Sequence, residues 1–124
     1  MNYQLLTIKG SLTALNEYTN ENRKHWSKGN ENKTADTELV RYLCKQQKLK
    51  PMGTTPFILY RWICKDKKKD KDNIAFAKKF INDGLQEAKI LDGDGWKHIG
   101  EWKDEFEIDP VNPRIEVYIY EPIR

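Results

Sequence analysis

Residues 57–88 read FILYRWIC, KDKKKDKDN and IAFAKKFINDGLQEA, and this stretch decides the fold. The first part, residues 57–64, is rich in aromatic and β-branched residues on both faces, which predicts a central strand. The third part has apolar residues spaced 3, 4, 4 and 3 from Ile74 to Ala88, which predicts a helix of about four turns. The charged middle part therefore lies between a strand and a helix, where functional sites are commonly built.

The segment before this stretch predicts a strand, a loop and a helix. Residues 3–9 have the Leu, Thr and Ile content of a first strand, and they are followed by a Gly-Ser turn signal. The polar, Asn-rich chain from there to Asn32 reads as a long loop. A helix is predicted to about Lys48, with Thr34 or Thr37 as its cap, because the apolar residues from Leu39 onward recur at helical spacing.

The segment after the stretch predicts two more strands. From Trp96 to Trp102 the residues alternate as in a half-buried strand that contains His98, and residues 114–120 form the last strand. The predicted order is strand, loop, helix, strand, helix, strand, strand. This is an α+β fold, with two helices packed on a mixed four-stranded sheet in a single domain over residues 1–124.

Charge is divided unevenly along the chain, although its net value is only +3. Residues 1–80 contain 17 basic and 8 acidic residues, whereas residues 81–124 contain 5 basic and 11 acidic residues. A basic half suits contact with phosphate backbones, although composition alone favours a lysine-rich solvated surface. The longest apolar run, residues 56–64, is too short for a membrane helix, so we expect a cytoplasmic protein. Cys44 and Cys64 show no metal-binding spacing and are expected to be buried, reduced thiols.

Four aspartates flank the predicted second helix. Asp70 and Asp72 precede it, and Asp92 and Asp94 follow it in two Asp-Gly steps. If three of these carboxylates converged at about 5 Å, each pair would repel by roughly 3 kcal/mol at an effective dielectric near 20, which favours a divalent cation between them. The alternatives are structural, because Asp72 or Asn73 could cap the helix and Asp-Gly steps are common in tight turns.

Basic residues near these aspartates suggest a polyanionic partner. The loop before the first helix also contains a basic cluster around Trp26, which could contact nucleic acid by charge and stacking or could instead pin the loop to the core. The candidate DNA-binding residues are Lys65, Lys67, Lys68, Lys69, Lys71, Arg23, Lys24 and Lys28.

Residues 68–74, Lys-Lys-Asp-Lys-Asp-Asn-Ile, are followed after a helix by Leu-Asp-Gly-Asp-Gly-Trp-Lys at residues 91–97. Together these segments resemble the RusA-like crossover junction endodeoxyribonucleases, which phages and prophages often encode. Residues 15–18 and the segment from Asp104 to Val117 are similar to the branch of that family found in Gram-positive hosts and their phages. The resemblance covers nearly the whole chain.

The resemblance implies a homodimeric, Mg²⁺-dependent nuclease, with Mn²⁺ as a substitute, that resolves four-way (Holliday) DNA junctions by paired nicks in recombination and repair. It would act in the cytoplasm of a bacterial or phage-infected cell. By position, Asp70 and Asp72 match the first two catalytic and metal-binding carboxylates and Asp94 matches the third. Asp92 and Asn73 would support them.

The family also uses a lysine on the helix after the first two aspartates. An ungapped alignment places Phe76 at that position, whereas counting back from Asp94 gives Lys79. On an uninterrupted helix Lys79 would share the azimuth of Asp72, because about 100° per residue brings it round almost two full turns. Lys79 is therefore the predicted catalytic lysine and Lys78 the second choice. The alternative function is a non-catalytic, basic architectural protein for branched DNA, in which the aspartates only cap and turn.

Overall fold

The structure is a computed structural model that describes residues 2–12, 26–52, 55–93 and 95–121, with side chains in the first helix described from Ala35 onward. Its strands form one mixed four-stranded sheet in the order β1-β4-β2-β3, in which β2 and β3 are parallel and the other neighbours are antiparallel. The α+β class and the single small domain are confirmed. The elements are β1 (Tyr3–Lys9), α1 (Trp26–Gln46), β2 (Phe57–Cys64), α2 (Lys71–Ala75), α3 (Lys78–Glu87), β3 (Trp102–Ile108) and β4 (Arg114–Tyr120).

The predicted central strand is confirmed, because β2 pairs with β4 on one side and with β3 on the other. Alternate residues of β2 and β4 are buried on the side that carries the helices, including Tyr60, Trp62 and Val117. The period of two thus places a continuous apolar layer against the helices. The predicted bounds of β1, β2 and β4 agree with the structure.

The first helix begins much earlier than predicted. It starts at Trp26, so residues 26–32 are helical, and neither Thr34 nor Thr37 is its cap. Thr37 lies inside the helix and is buried. The prediction followed apolar spacing, which begins only at Leu39, and a helical turn made of polar residues gives no such periodic signal.

The second predicted helix is divided into α2 and α3 by a tighter turn. The N–H groups of Ala77, Lys79 and Phe80 each donate to the carbonyl oxygen three residues earlier, which is the pattern of a 3₁₀-helix. Because that turn has about three residues per turn instead of 3.6, it rotates α3 relative to α2. The azimuth calculation that compared Lys79 with Asp72 assumed one uninterrupted helix and does not apply.

The third strand begins six residues later than predicted. Residues 96–98 form a turn in which the N–H groups of His98 and Ile99 donate to the carbonyl oxygen of Gly95, at 2.9 and 3.1 Å. Pairing with β2 starts where the N–H of Ile58 donates to Glu101. The strand prediction for Trp96 and His98 is therefore wrong, because local turn hydrogen bonds satisfy the backbone there instead of a neighbouring strand.

A glycine allows α1 and α3 to pack closely. A Cβ atom at Gly84 would lie 2.5 Å from the Cβ and Cγ1 atoms of Val40 on α1. The contact lies within the apolar core shared by the helices and the sheet. Glycine lowers helix stability in a helix interior, but here it permits a helix-to-helix approach that alanine would prevent.

The side of the sheet opposite the helices carries aromatic rings and ion pairs. Four aromatic residues lie together on this side, namely Tyr3, Phe57, Tyr118 and Tyr120. Neighbouring rings have centroids 5.3 to 6.3 Å apart. Tyr3 is 54% exposed and Phe57 is 37% exposed, so this patch faces solvent. We call these four residues the aromatic patch.

Next to the aromatic patch, charged side chains are paired within the chain. Arg61 contacts Glu116 at 2.5 Å and Glu107 at 3.0 Å, and Arg114 contacts Glu116 at 3.0 Å and Asp109 at 3.2 Å. Burial opposes the ionisation of Glu116, but its contacts with the two guanidinium groups leave its pKa below the usual value. The two guanidinium groups thus contact these three carboxylates, which pairs both cations within the chain and leaves this cluster net negative.

Both cysteines carry free thiols, as predicted, but only Cys44 is buried, because Cys64 lies at the end of β2 and is partly exposed. Burial raises the pKa of the Cys44 thiol to about 11, so it stays protonated at neutral pH. Within the described ranges, no helix combines the length and the apolar character needed to cross a membrane.

Candidate metal and nucleic-acid site

The first two candidate carboxylates lie at the start of α2. Asp70, not Asp72 or Asn73, is the N-cap residue, with an extended backbone (φ −67°, ψ 151°) and no side-chain capping hydrogen bond. Asp72 lies in the first turn, and among the described residues its Oδ1 accepts only the adjacent N–H of Asn73, at 3.0 Å. The predicted capping role of Asp72 and Asn73 is therefore wrong. Both carboxylates are exposed and keep oxygens available to a ligand.

The second pair of aspartates follows the turn after α3. Asp92 is exposed in this turn, whereas Asp94 lies outside the described residues. A Cβ atom at Gly93 would lie 2.5 Å from Nδ1 of His98, so a glycine is needed where this segment crosses the imidazole ring. In the part of the chain that the structure describes, which leaves out Asp94, no three His, Cys, Asp or Glu side chains form a group that could hold a metal ion. The predicted triad therefore stays a prediction.

The lysine-rich segment joins the end of β2 to α2. Its five predicted DNA-binding lysines are all exposed, and Asp66 folds the segment locally by accepting the N–H of Lys68 at 3.0 Å. The ammonium of Lys71 lies 5.4 Å from the centre of the Phe106 ring on β3. The exposed lysines are Lys65, Lys67, Lys68, Lys69 and Lys71.

The other three predicted DNA-binding residues precede or begin the first helix. Arg23 and Lys24 lie outside the described residues. The backbone of Lys28 belongs to α1, so its predicted place in a loop is wrong. A role of these residues in DNA binding stays a prediction.

The two candidate lysines on α3 have different surroundings. Lys78 is largely buried and its Nζ donates to Oδ2 of Asp104 at 2.6 Å, with both side chains about one fifth to one quarter exposed. The same ammonium lies 5.2 Å from the ring centres of Tyr60 and Trp102. Lys79 is exposed and forms no ion pair with the described residues. Lys78 thus holds the helix to the sheet, whereas the ammonium of Lys79 is available to a ligand.

Asp104 contacts the candidate lysine Lys78, a contact that the sequence did not predict. Its Oδ1 accepts the indole N–H of Trp62 at 3.0 Å while its other oxygen accepts Lys78. Beside it, the hydroxyl of Tyr60 donates to Asn82 on α3 at 2.6 Å, and burial raises the pKa of that hydroxyl. A buried Tyr and a buried Trp each require a hydrogen-bond partner. That requirement is the signal that could have indicated a polar partner on β3.

A groove runs between α3 and the segment that leads into β3. Its volume is about 850 Å³. Trp96 is 99% exposed and Trp102 is 55% exposed along its edge. Lys79 lines the same groove, which also contains the acidic residues Asp83 and Glu101. We call this feature the tryptophan groove.

Accessible carboxylates, exposed ammonium groups and exposed indole rings thus lie on or beside α2 and α3. Carboxylate oxygens suit hard divalent cations, lysines suit phosphates and indoles suit the faces of nucleobases. No known protein family has a model that matches this chain, and no curated protein matches it either.

Proposed function

We propose that this protein is a Mg²⁺-dependent endodeoxyribonuclease that resolves four-way DNA junctions by paired nicks. The proposal rests on the exposure of Asp70 and Asp72. Their carboxylates lie two residues apart beside a run of exposed lysines. A purely capping role would use the Asp70 side chain on the helix N–H groups, and it makes no such bond. The sequence resemblance to junction endonucleases agrees with this chemistry.

The donor set at this position fits a magnesium ion. Mg²⁺ prefers oxygen ligands and is commonly held by one or two carboxylates together with water and substrate phosphate. Asp70 and Asp72 would hold it, with Asp94 as the third ligand and Asp92 in support. When bound, the ion would lower the pKa of a water and neutralise charge on the phosphodiester.

Lysine side chains would stabilise the transition state and bind the DNA. Lys79 would stabilise the negative charge that develops on the scissile phosphate, since its ammonium is exposed and has no ion-pair partner among the described residues. The lysines of residues 65–71 would hold the DNA backbones, which adds affinity but no sequence selectivity. Hydrolysis would leave 5′-phosphate and 3′-hydroxyl ends.

Paired nicks require two active sites, which a two-fold homodimer supplies. The aromatic patch supports dimer formation because it presents exposed rings on a sheet face. The neighbouring ion pairs of Arg61 and Arg114 are completed within one chain. Burying charges that are already paired avoids leaving an unpaired charge in an interface.

The test is a cleavage assay with a labelled four-way junction and a linear duplex of the same arm sequence. We expect the wild-type protein with Mg²⁺ to cut the junction at two symmetry-related positions and to leave the duplex intact. Mn²⁺ should replace Mg²⁺, and EDTA should abolish cleavage but not junction binding. Junction binding without cleavage in either metal would instead favour the architectural function. Single nicks on one strand would contradict the homodimer.

A further inference from the structure

The tryptophan groove contains two indole rings that the proposed cleavage chemistry does not use. Trp96 is 99% exposed, although tryptophan is a strongly buried residue type on average. It lies in the turn that follows Asp94, on the opposite side of the groove from α3. An indole in that position is not packed in the core, so both of its faces are open to a ligand.

The second ring is fixed in position by the protein. The Lys78 ammonium lies 5.2 Å from the centre of the Trp102 ring and is itself anchored to Asp104. A cation over an indole face is an attractive contact that orients the ring. Because Trp102 remains 55% exposed, much of its surface stays open to the groove.

The charges of the tryptophan groove indicate which part of a nucleotide enters it. Lys79 lines the groove, but Asp83 and Glu101 also line it and would repel phosphate groups. A nucleobase is uncharged, and its π-face stacks on aromatic side chains with little regard to sequence. The groove therefore suits uncharged bases, with room for a phosphate only beside Lys79, whose ammonium is the exposed cation of its lining.

We propose that the tryptophan groove binds unstacked nucleobases, with Trp96 and Trp102 as stacking platforms. This inference deepens the proposed nuclease function and rests on it for the source of the bases, which would be the unpaired or distorted nucleotides at a branch point. The feature recognised would then be local loss of base stacking, which a continuous duplex lacks. Trp96 and Trp102 would be specificity residues, with no part in the cleavage step.

The test measures binding of a single-stranded oligothymidylate and of a matched duplex in EDTA, where no cleavage occurs. Trp96→Ala should weaken oligothymidylate binding by about five- to a hundredfold and change duplex binding little, whereas Trp96→Phe should retain most of the affinity. Val111→Ala is the matched control because Val111 is also almost fully exposed, at 93%, but lies in the β3–β4 connection. Quenching of tryptophan fluorescence by the oligonucleotide should diminish in Trp96→Ala.

Several results would overturn the inference. The first is equal affinity of wild type and Trp96→Ala for oligothymidylate. The second is a wild-type protein that does not bind oligothymidylate. Trp96→Ala could instead change the sedimentation coefficient of the free protein and leave oligonucleotide binding unchanged. That result would assign the ring to a contact between protein molecules. If Trp96-dependent binding is found but no junction is cleaved, the nuclease function fails and base binding stands.

Discussion

Asp72→Asn is expected to abolish junction cleavage while junction binding is retained or slightly tightened. Replacing a residue that hydrogen-bonds to a metal ligand typically lowers metal affinity or activity by about ten- to a hundredfold. Loss of a direct ligand should therefore lower the cleavage rate by at least about a hundredfold. The substitution also removes one negative charge near the DNA. For charges about 5 Å apart in water this repulsion is roughly 0.8 kcal/mol, which is about a fourfold gain in affinity at most.

Asp66→Asn is the matched control for this prediction. Asp66 lies in the same lysine-rich segment, and its Oδ1 accepts the N–H of Lys68 at 3.0 Å. Asparagine keeps that acceptor oxygen, so the local turn should survive while the net charge changes by the same amount. We expect Asp66→Asn to cleave junctions at close to the wild-type rate. Equal losses in both variants would indicate a general charge effect and contradict a metal-binding role for Asp72.

The adjacent lysines of α3 should give opposite results when each is replaced by alanine. Lys79→Ala should slow cleavage by about ten- to a hundredfold, because an exposed ammonium that stabilises transition-state charge is lost. Its thermal stability should be close to that of wild type, since substitutions at exposed positions usually change stability by at most about 0.5 kcal/mol. Junction affinity should fall little.

Lys78→Ala should instead destabilise the protein. The partly buried carboxylate of Asp104 keeps the Trp62 indole N–H as its one donor within the described ranges, and the cation over the rings of Tyr60 and Trp102 is lost. Loss of a partner from a partly buried charged pair should lower the free energy of unfolding by about 1 to 3 kcal/mol. Urea unfolding and single-turnover cleavage, measured on both variants, separate the two roles. A stable Lys78→Ala protein with the larger rate loss would assign catalysis to Lys78.

Much of the sheet could be predicted from sequence because strand periodicity is local. A clear signal comes from the Leu, Thr and Ile content of residues 3–9, from the apolar content of residues 57–64 and from the alternation in residues 114–120. The pattern from Trp96 also alternates, yet the backbone there forms a turn on Gly95. Periodicity reports which side chains could share a face, but strand pairing depends on distant residues, which a local pattern does not contain.

The site was predicted only where its residues are close in sequence. Asp70, Asp72 and the lysine run form a compact motif, which extends from the end of β2 into the first turn of α2. The pairing of Lys78 with Asp104 joins residues 26 positions apart, and it depends on the register that sets Asp104 opposite Tyr60. The tighter turn at residues 76–77 leaves no mark in the apolar spacing from Ile74 to Ala88, and it invalidates the helical argument for Lys79.

The central claim is that residues 70–72 and 92–94 converge on one metal ion. The most direct measurement is line broadening by Mn²⁺ in the amide NMR spectrum of the wild-type protein, with Asp72→Asn for comparison. We predict that substoichiometric Mn²⁺ broadens the signals of both segments together, and that this effect is lost in Asp72→Asn. Broadening that leaves either segment unaffected, or that is equal in Asp72→Asn, would contradict the claim.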